Sequence, residues 1–424
     1  MRTNLPASVI EKMTFQPEHT VSGSQISIYY GLAKEIGMGR ALEVQQNVQP
    51  LIDCLNNESL VLNFDKWSTQ GVQPWVDQRD EVLQDLQRTV PTLGMYSVRS
   101  NQQIVAHAHI MGIEIPSTGT TWLVKHRKDN PVIGLLLRKK NLDQLLKRFK
   151  DDLVPLQHDG HVMLSGTWDA YASYSGRMAS HQMALTALPR GMRDYYDAPL
   201  VNGQPGAYVS FDENQIELRI LAGASHCQLL LSQFAMGHDV HCYIAGQLFS
   251  VAEDSVTPRM RKVAKTLVYA LVYGAGDQRL RKIVQKSGLT VVTSPKQLFQ
   301  ERYPEVMRLL SKLRASKVIY YALRPTTVPP RIGTKWLSSA SRQNLPIQSA
   351  ASLLLKQVMV RLTGEAHIVN VIHDELICVC EFDQVDSLRQ RVTQAYLDAA
   401  DDLELALPMN NIISTTILGG NSNG

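Results

Sequence analysis

The apolar positions of this chain switch between two periods. Residues 41–60 carry them at helical spacing, and residues 77–86 read as a charged amphipathic helix. After a break at Asn130-Pro131, residues 132–149 resume as a basic amphipathic helix with Leu135, Leu136, Leu137, Leu142, Leu145 and Leu146. Short strand-like runs lie near 160–165, 207–212, 367–373 and 376–381, and the pattern between about 228 and 320 is mostly helical again. Strands stand on both sides of that helical stretch, so they have to pair across it. The expected fold class is therefore α+β: an antiparallel sheet interrupted by one helical subdomain and preceded by another. Residues 1–39 are mixed and punctuated by Ser and Gly, and they predict no element.

The last two strand-like runs are apolar and rich in β-branched residues, with His373-Asp374-Glu375 between them. That pattern predicts a β-hairpin lifting carboxylates to the tip of a hydrophobic sheet. A second apolar run, Tyr208-Val209-Ser210-Phe211, ends in Asp212 and is followed by Gln215-Ile216-Glu217-Leu218-Arg219. Two strand-borne aspartates far apart in sequence suit a two-metal site if folding brings them together.

A third constellation lies on the segment 257–274. Thr257 suits an N-cap, Pro258 the first helical turn, and Gly274 and Gly276 a helix end. Arg261, Lys265, Tyr269 and Tyr273 recur every four residues and share one drifting face. Two cations followed by two rings can neutralise a triphosphate and pack on a base and sugar. A helix with core tyrosines and solvated cations shows the same spacing.

Bulk numbers add little. The 424 residues allow two or three packed units, and a net charge of +4 points to no partner. Locally, nine basic residues stand against two acids between Lys125 and Lys150, which suits a polyanion or a solvated helix face. The five cysteines form no Cys-x-x-Cys pair, so neither a disulfide framework nor a zinc site is implied and a reducing compartment is expected. Without a signal-peptide core or a long apolar run, the expectation is a soluble, cytoplasmic protein with no membrane partner.

Asp212-x-x-Gln215-Ile216-Glu217-Leu218-Arg219, Arg261-x-x-x-Lys265-x-x-x-Tyr269-x-x-x-Tyr273-Gly274 and His373-Asp374-Glu375 resemble motifs A, B and C of family A DNA polymerases, the DNA polymerase I type. Ser175-Gly176-Arg177-Met178-Ala179-Ser180, His238-Asp239-Val240-His241 and Asn344-Leu345-Pro346-Ile347-Gln348 are similar to three further segments of that family, and the order is the same. The stretch 265–277 looks like the short phage replicative branch. Three positions depart from the pattern: Glu213-Asn214 replaces Tyr-Ser, Val268 replaces Asn, and Ala340 stands where many members carry Arg.

The resemblance implies a right-hand architecture with an antiparallel palm sheet and largely helical fingers and thumb. It divides the chain into an unassigned segment 1–39, a thumb 40–155, a palm 156–235 and 341–424, and fingers 236–340. It implies primer extension with dNTPs on primer–template DNA by a monomer. Asp212 and Asp374 would hold two Mg2+ ions about 4 Å apart, with Mn2+ able to substitute and Glu375 a weaker third ligand. His241, Arg261 and Lys265 would bind the triphosphate, Lys265 also serving as a proton donor, with Gln215 close by. Glu217 would exclude a ribose 2′-hydroxyl, supported by Tyr273, while Tyr269 would stack on the nucleotide and its hydroxyl would permit dideoxynucleotide use. Arg177, Asn344, Gln348 and His373 would contact the DNA minor groove, and the basic segment 125–150 would grip phosphates.

No exonuclease-type set of acids is found, so neither proofreading nor 5′ nuclease activity is expected. Replication of a phage or plasmid, gap filling and lesion bypass all fit. A single-subunit RNA polymerase is the nearest competitor, disfavoured by Glu217 and Glu375. A catalytically inactive DNA-binding accessory protein is the other.

Overall fold

The computed structural model describes residues 39–95, 100–170, 172–173, 175–315 and 338–419. The unassigned segment 1–39 lies outside them save for its last residue. The chain forms two compact units, the first of Met1–Ser59, Ser165–Leu188 and Pro199–Leu418, the second of Leu60–Leu164, Pro189–Ala198 and Gly419–Gly424.

The first unit is built on an antiparallel sheet. Its four main strands stand in the order Ile413–Leu418, Gln204–Glu213, Glu375–Glu381, His367–Ile372. The expectation that strands pair across the helical stretch holds: Gln204–Glu213 lies antiparallel against Glu375–Glu381, with Ser210 facing Ile377 and Asp212 facing Glu375. The two central strands are buried over nearly their whole length, which is why they read as continuous apolar runs rather than as alternation. Edge strand Ile413–Leu418 escaped the sequence reading, because its Ser-Thr-Thr centre is half exposed and lacks the apolar signal.

Helix Ser339–Arg361 is the spine of this unit. It carries fourteen buried residues and packs against Gly39–Leu55, Ile216–Ser225, Pro304–Ala315 and Val385–Asp402. The helix expected over 41–60 ends at Leu55, because Asn56-Asn57-Glu58-Ser59 breaks the apolar period and Leu60–Asn63 turns into a strand.

The second unit packs helix Gln73–Thr89 against Pro131–Phe149 around Val82, Leu86, Ile104, Val132 and Leu136. Trp67 closes one end of it, donating Nε1–H to the Phe149 carbonyl at 2.6 Å. A small sheet in the order Leu60–Asn63, His161–Leu164, Gln157–His158 completes it. Part of the basic excess of 125–150 is spent internally. Lys139 is buried and paired with Asp143 at 2.6 Å, Lys140 donates to the Thr118 carbonyl, and Lys147 pairs with Asp152. Lys125, Arg127, Lys128, Arg138 and Arg148 remain exposed. No helix of the described residues is long and apolar enough to cross a membrane, and all five cysteines are free.

Candidate active site

The site grows from the ladder between the two central strands. Asp212 stands opposite Glu375 in register, and the Glu213 amide donates to the Asp374 carbonyl at 3.0 Å. Asp212 and Asp374, 162 positions apart by their numbers, are thereby neighbours at one end of the sheet. The hairpin turn is His373-Asp374, and His373 adopts φ 56° to make it. Gln215, three residues after Asp212, also takes the left-handed conformation at φ 57°. Left-handed backbone at non-glycine residues is strained, and here it flanks both acids.

Arg177 reaches this end from the loop before the sheet. Its Nη2 lies 3.0 Å from Asp374 Oδ1 and 3.1 Å from Glu217 Oε1. Burial opposes the Arg177 charge, but the two acids outweigh it and hold its pKa above the ordinary value. The loop is fastened by helix Ser339–Arg361: Ser352 donates to the Gly176 carbonyl at 2.6 Å, and the fully buried Lys356 donates to the Ala170 carbonyl at 2.7 Å.

Glu217 sits in the first turn of Ile216–Ser225 and is almost fully buried. Burial raises its pKa above the usual carboxylate value against the pull of Arg177 and Tyr273. The Tyr273 hydroxyl donates to it, 2.9 Å from Oε2. Burial and Glu217 together push the Tyr273 phenol up to about 12, so it remains a donor.

Tyr273 ends helix Pro258–Val272, which Thr257 caps and Pro258 opens as expected. Along its face the Tyr269 and Tyr273 rings lie 6.1 Å apart, and the Lys265 ammonium is 6.0 Å from the Tyr269 ring. His241, from helix Val240–Phe249, joins them with its ring 5.8 Å from Tyr269. Burial, helped by Lys265 and Arg261 and opposed by Asp239, lowers the His241 pKa to about 4. Both of its ring nitrogens are buried without a hydrogen-bond partner, as are Gln215 Oε1 and Asn344 Oδ1. Buried polar atoms without partners call for an explanation, and a polar ligand supplies one. Arg261 is already engaged: its Nε donates to Asp239 Oδ2 at 2.7 Å, while Asp239 caps helix Val240–Phe249 through the His241 and Cys242 amides. Gln348 interacts with the Tyr273 hydroxyl, and His373 is exposed at the hairpin tip.

Several contributors were not legible as site residues. Gln343 is buried and donates to the carbonyls of Leu271 and Val272, so it fastens the end of the stripe helix. Glu213 is buried next to Asp212 at this end of the sheet. Burial and the charge of Asp374 raise its pKa well above the ordinary carboxylate value, against the influence of the nearby Tyr396 hydroxyl. Lys356 is the one with a sequence signal, a lone cation inside the apolar run 353–359.

The donor set can be tested for fit to a divalent ion. Asp212 offers hard carboxylate oxygens from a central strand and Asp374 from the neighbouring hairpin turn. Glu375 is buried, and its Oε1 accepts a short hydrogen bond from Ser210. Among the described residues no three His, Cys, Asp or Glu side chains converge as a metal cluster. A two-carboxylate site of this kind suits Mg2+, which is commonly held by one or two carboxylates plus waters and substrate phosphates.

The model of DNA polymerase family A matches residues 100–416. The chain belongs to DNA polymerase family A. Similar relatives include the thermostable DNA polymerase I of Thermus aquaticus, 28% identical over 281 residues, covering 62% of this chain and 33% of the relative. That of Thermus thermophilus is 26% identical over 286 residues, covering 64% of this chain and 34% of the relative. The chain thus spans about a third of the length of these curated relatives. Its fold is like that of the POL domain of Pol1 from M. smegmatis, solved in complex with DNA primer–template and dNTP, with a TM-score of 0.71 at 19% identity over 99% of this chain and 79% of that one.

Two departures from the family pattern have structural accounts. A Cβ on Gly274, at φ 76°, would come within 3.0 Å of Ala340, so the family A helix end and the spine approach closely at this small residue. Arg342 is turned to the Arg314 carbonyl at 3.1 Å. Val268 is fully buried and packs as core.

Proposed function

We propose that this chain is a template-directed DNA polymerase that extends a primer 3′-hydroxyl with dNTPs. The observation that carries the reading is the meeting of Asp212 and Asp374 across the sheet, linked through Arg177, Glu217 and Tyr273 to the helix face that bears Lys265 and Tyr269. Two Mg2+ ions bound by Asp212 and Asp374 would activate the primer hydroxyl and neutralise the triphosphate. Arg261, Lys265 and the neutral His241 bind phosphate oxygens, which supplies partners for the orphaned His241 nitrogens. Lys265 protonates the leaving pyrophosphate. Tyr269 stacks on the incoming nucleotide, with Gln215 beside it.

Glu217, held by Tyr273 and Arg177, forms the wall that excludes a ribose 2′-hydroxyl. Arg177, Asn344, Gln348 and His373 contact acceptors in the minor groove that all base pairs share, so binding ignores sequence. On this reading the sheet is the palm, the helices of 236–340 are the fingers, and the unit beginning at Leu60 contains the thumb, whose exposed cations grip phosphates. This chain by itself polymerises without proofreading, since no exonuclease-type set of acids occurs in its sequence.

The test is extension of a labelled primer on a gapped template in Mg2+, with dNTPs or rNTPs. Templated extension with dNTPs and little with rNTPs supports the reading. Efficient rNTP use points to an RNA polymerase, and DNA binding without extension points to an accessory protein.

A further inference from the structure

Arg177 does something that a groove-contacting arginine has no need to do. One nitrogen, Nη2, is shared between Asp374, at 3.0 Å from Oδ1 and 3.4 Å from Oδ2, and Glu217 Oε1 at 3.1 Å. Glu217 in turn is held from its other side by Tyr273, at 2.9 and 3.1 Å. The side chains form an unbroken line, Tyr273–Glu217–Arg177–Asp374. The line is stiff. Glu217 keeps only 4% and Arg177 only 24% of its side-chain surface exposed. The Arg177 backbone is fixed from behind, since Gly176 is bonded by Ser352 and the Arg177 carbonyl accepts from Ser173 at 3.2 Å. Nothing in this arrangement lets Glu217 move without disturbing Nη2, and Nη2 is what orients the Asp374 carboxylate.

We propose that Arg177 is a specificity-determining positioning residue that couples the sugar wall to the catalytic carboxylate. This rests on the proposed polymerase function. A ribonucleotide presses its 2′-hydroxyl on Glu217, Glu217 shifts Arg177, and Arg177 turns Asp374 away from the geometry in which it serves the reaction. The wrong sugar is therefore penalised twice, by weaker binding and by slower chemistry. The guanidinium is suited to this because it holds two carboxylates through a rigid planar group. A passive wall would affect binding alone.

The experiment compares dNTP and rNTP incorporation by wild type, Arg177→Gln and Arg177→Lys in single-turnover primer extension, so that maximal rate and apparent nucleotide affinity separate. In wild type the rNTP lowers both. In Arg177→Gln the affinity difference remains, and the rate difference between the two sugars shrinks on the order of tenfold, the scale of an ordinary coupling between sites. Arg177→Lys restores part of it. Any uniform loss of activity cancels in the ratio.

A second readout needs no turnover. On a chain-terminated primer, Mn2+ titration followed by electron paramagnetic resonance gives weaker metal binding with rNTP than with dNTP in wild type and equal binding in Arg177→Gln. An unchanged rate ratio in Arg177→Gln, or the same metal affinity with both sugars in wild type, overturns the coupling. Failure of wild type to incorporate dNTPs at all would overturn the proposed function instead.

Discussion

The Glu213 amide donates to the Asp374 carbonyl at 3.0 Å, and this bond locks the end of one central strand to the hairpin tip of its neighbour. Asp212 cannot move away from Asp374 without breaking it. Backbone bonding rather than side-chain contact fixes the pair, so substituting either carboxylate should leave the sheet intact.

Tyr269 offers a hydroxyl where a phenylalanine would offer none. Tyr269→Phe should depress dideoxynucleotide incorporation by about fivefold while leaving dNTP use nearly unchanged, since one hydrogen bond of this kind is worth about 1 kcal/mol. Competition between ddNTP and dNTP on one template measures it. Equal ddNTP use by both forms contradicts the role.

Burial raises the Glu213 pKa well above the ordinary carboxylate value, with Asp374 adding to the effect. Its pKa is raised in the folded state, so its stabilising contribution is complete below the ordinary carboxylate value and is lost as pH rises toward the folded value. Glu213→Gln keeps the shape and removes the titration. The variant should match wild type in acid and exceed it in Tm near neutral pH. Thermal melts across pH 4.5–8 check this, and a Tm difference that does not vary with pH refutes it.

His241 has the opposite sign. Its pKa falls from the ordinary 6.5 to about 4, so the stability it contributes is present above 6.5 and drains away as pH drops toward 4. The expected loss across that window is on the order of 3 kcal/mol. His241→Gln should flatten this part of the Tm–pH curve, and it should also weaken nucleotide binding, read as a raised KM. A variant with wild-type melting behaviour and KM contradicts both roles.

The parts of this site that were legible in the sequence share a cause. Asp212 and Asp374 stood out because charge at the end of an apolar strand is conspicuous, and the Arg261–Tyr273 stripe because helical spacing is. Sequence spacing says nothing, however, about which side chains meet across a fold. The sharing of one Arg177 nitrogen by Asp374 and Glu217 therefore had no signal, nor did the capture of Arg261 by Asp239. Glu213 looked like a plain departure from a motif, because its burial depends on helix Val385–Asp402 and Tyr396, almost 200 residues away. The edge strand Ile413–Leu418 was invisible for a related reason. Its pairing with Gln204–Glu213 is set by backbone hydrogen bonds and not by an apolar pattern.

The account stands on Asp212 and Asp374 acting together. The most direct measurement is single-turnover incorporation of the next correct dNTP by wild type, Asp212→Ala and Asp374→Ala, with primer–template affinity and Tm measured on the same preparations. Either substitution should slow incorporation by at least about 10³-fold, because little else meets the charge that develops on the transferring phosphoryl group. DNA affinity and melting should stay close to wild type. A variant that binds DNA normally and still joins nucleotides within tenfold of the wild-type rate contradicts the account.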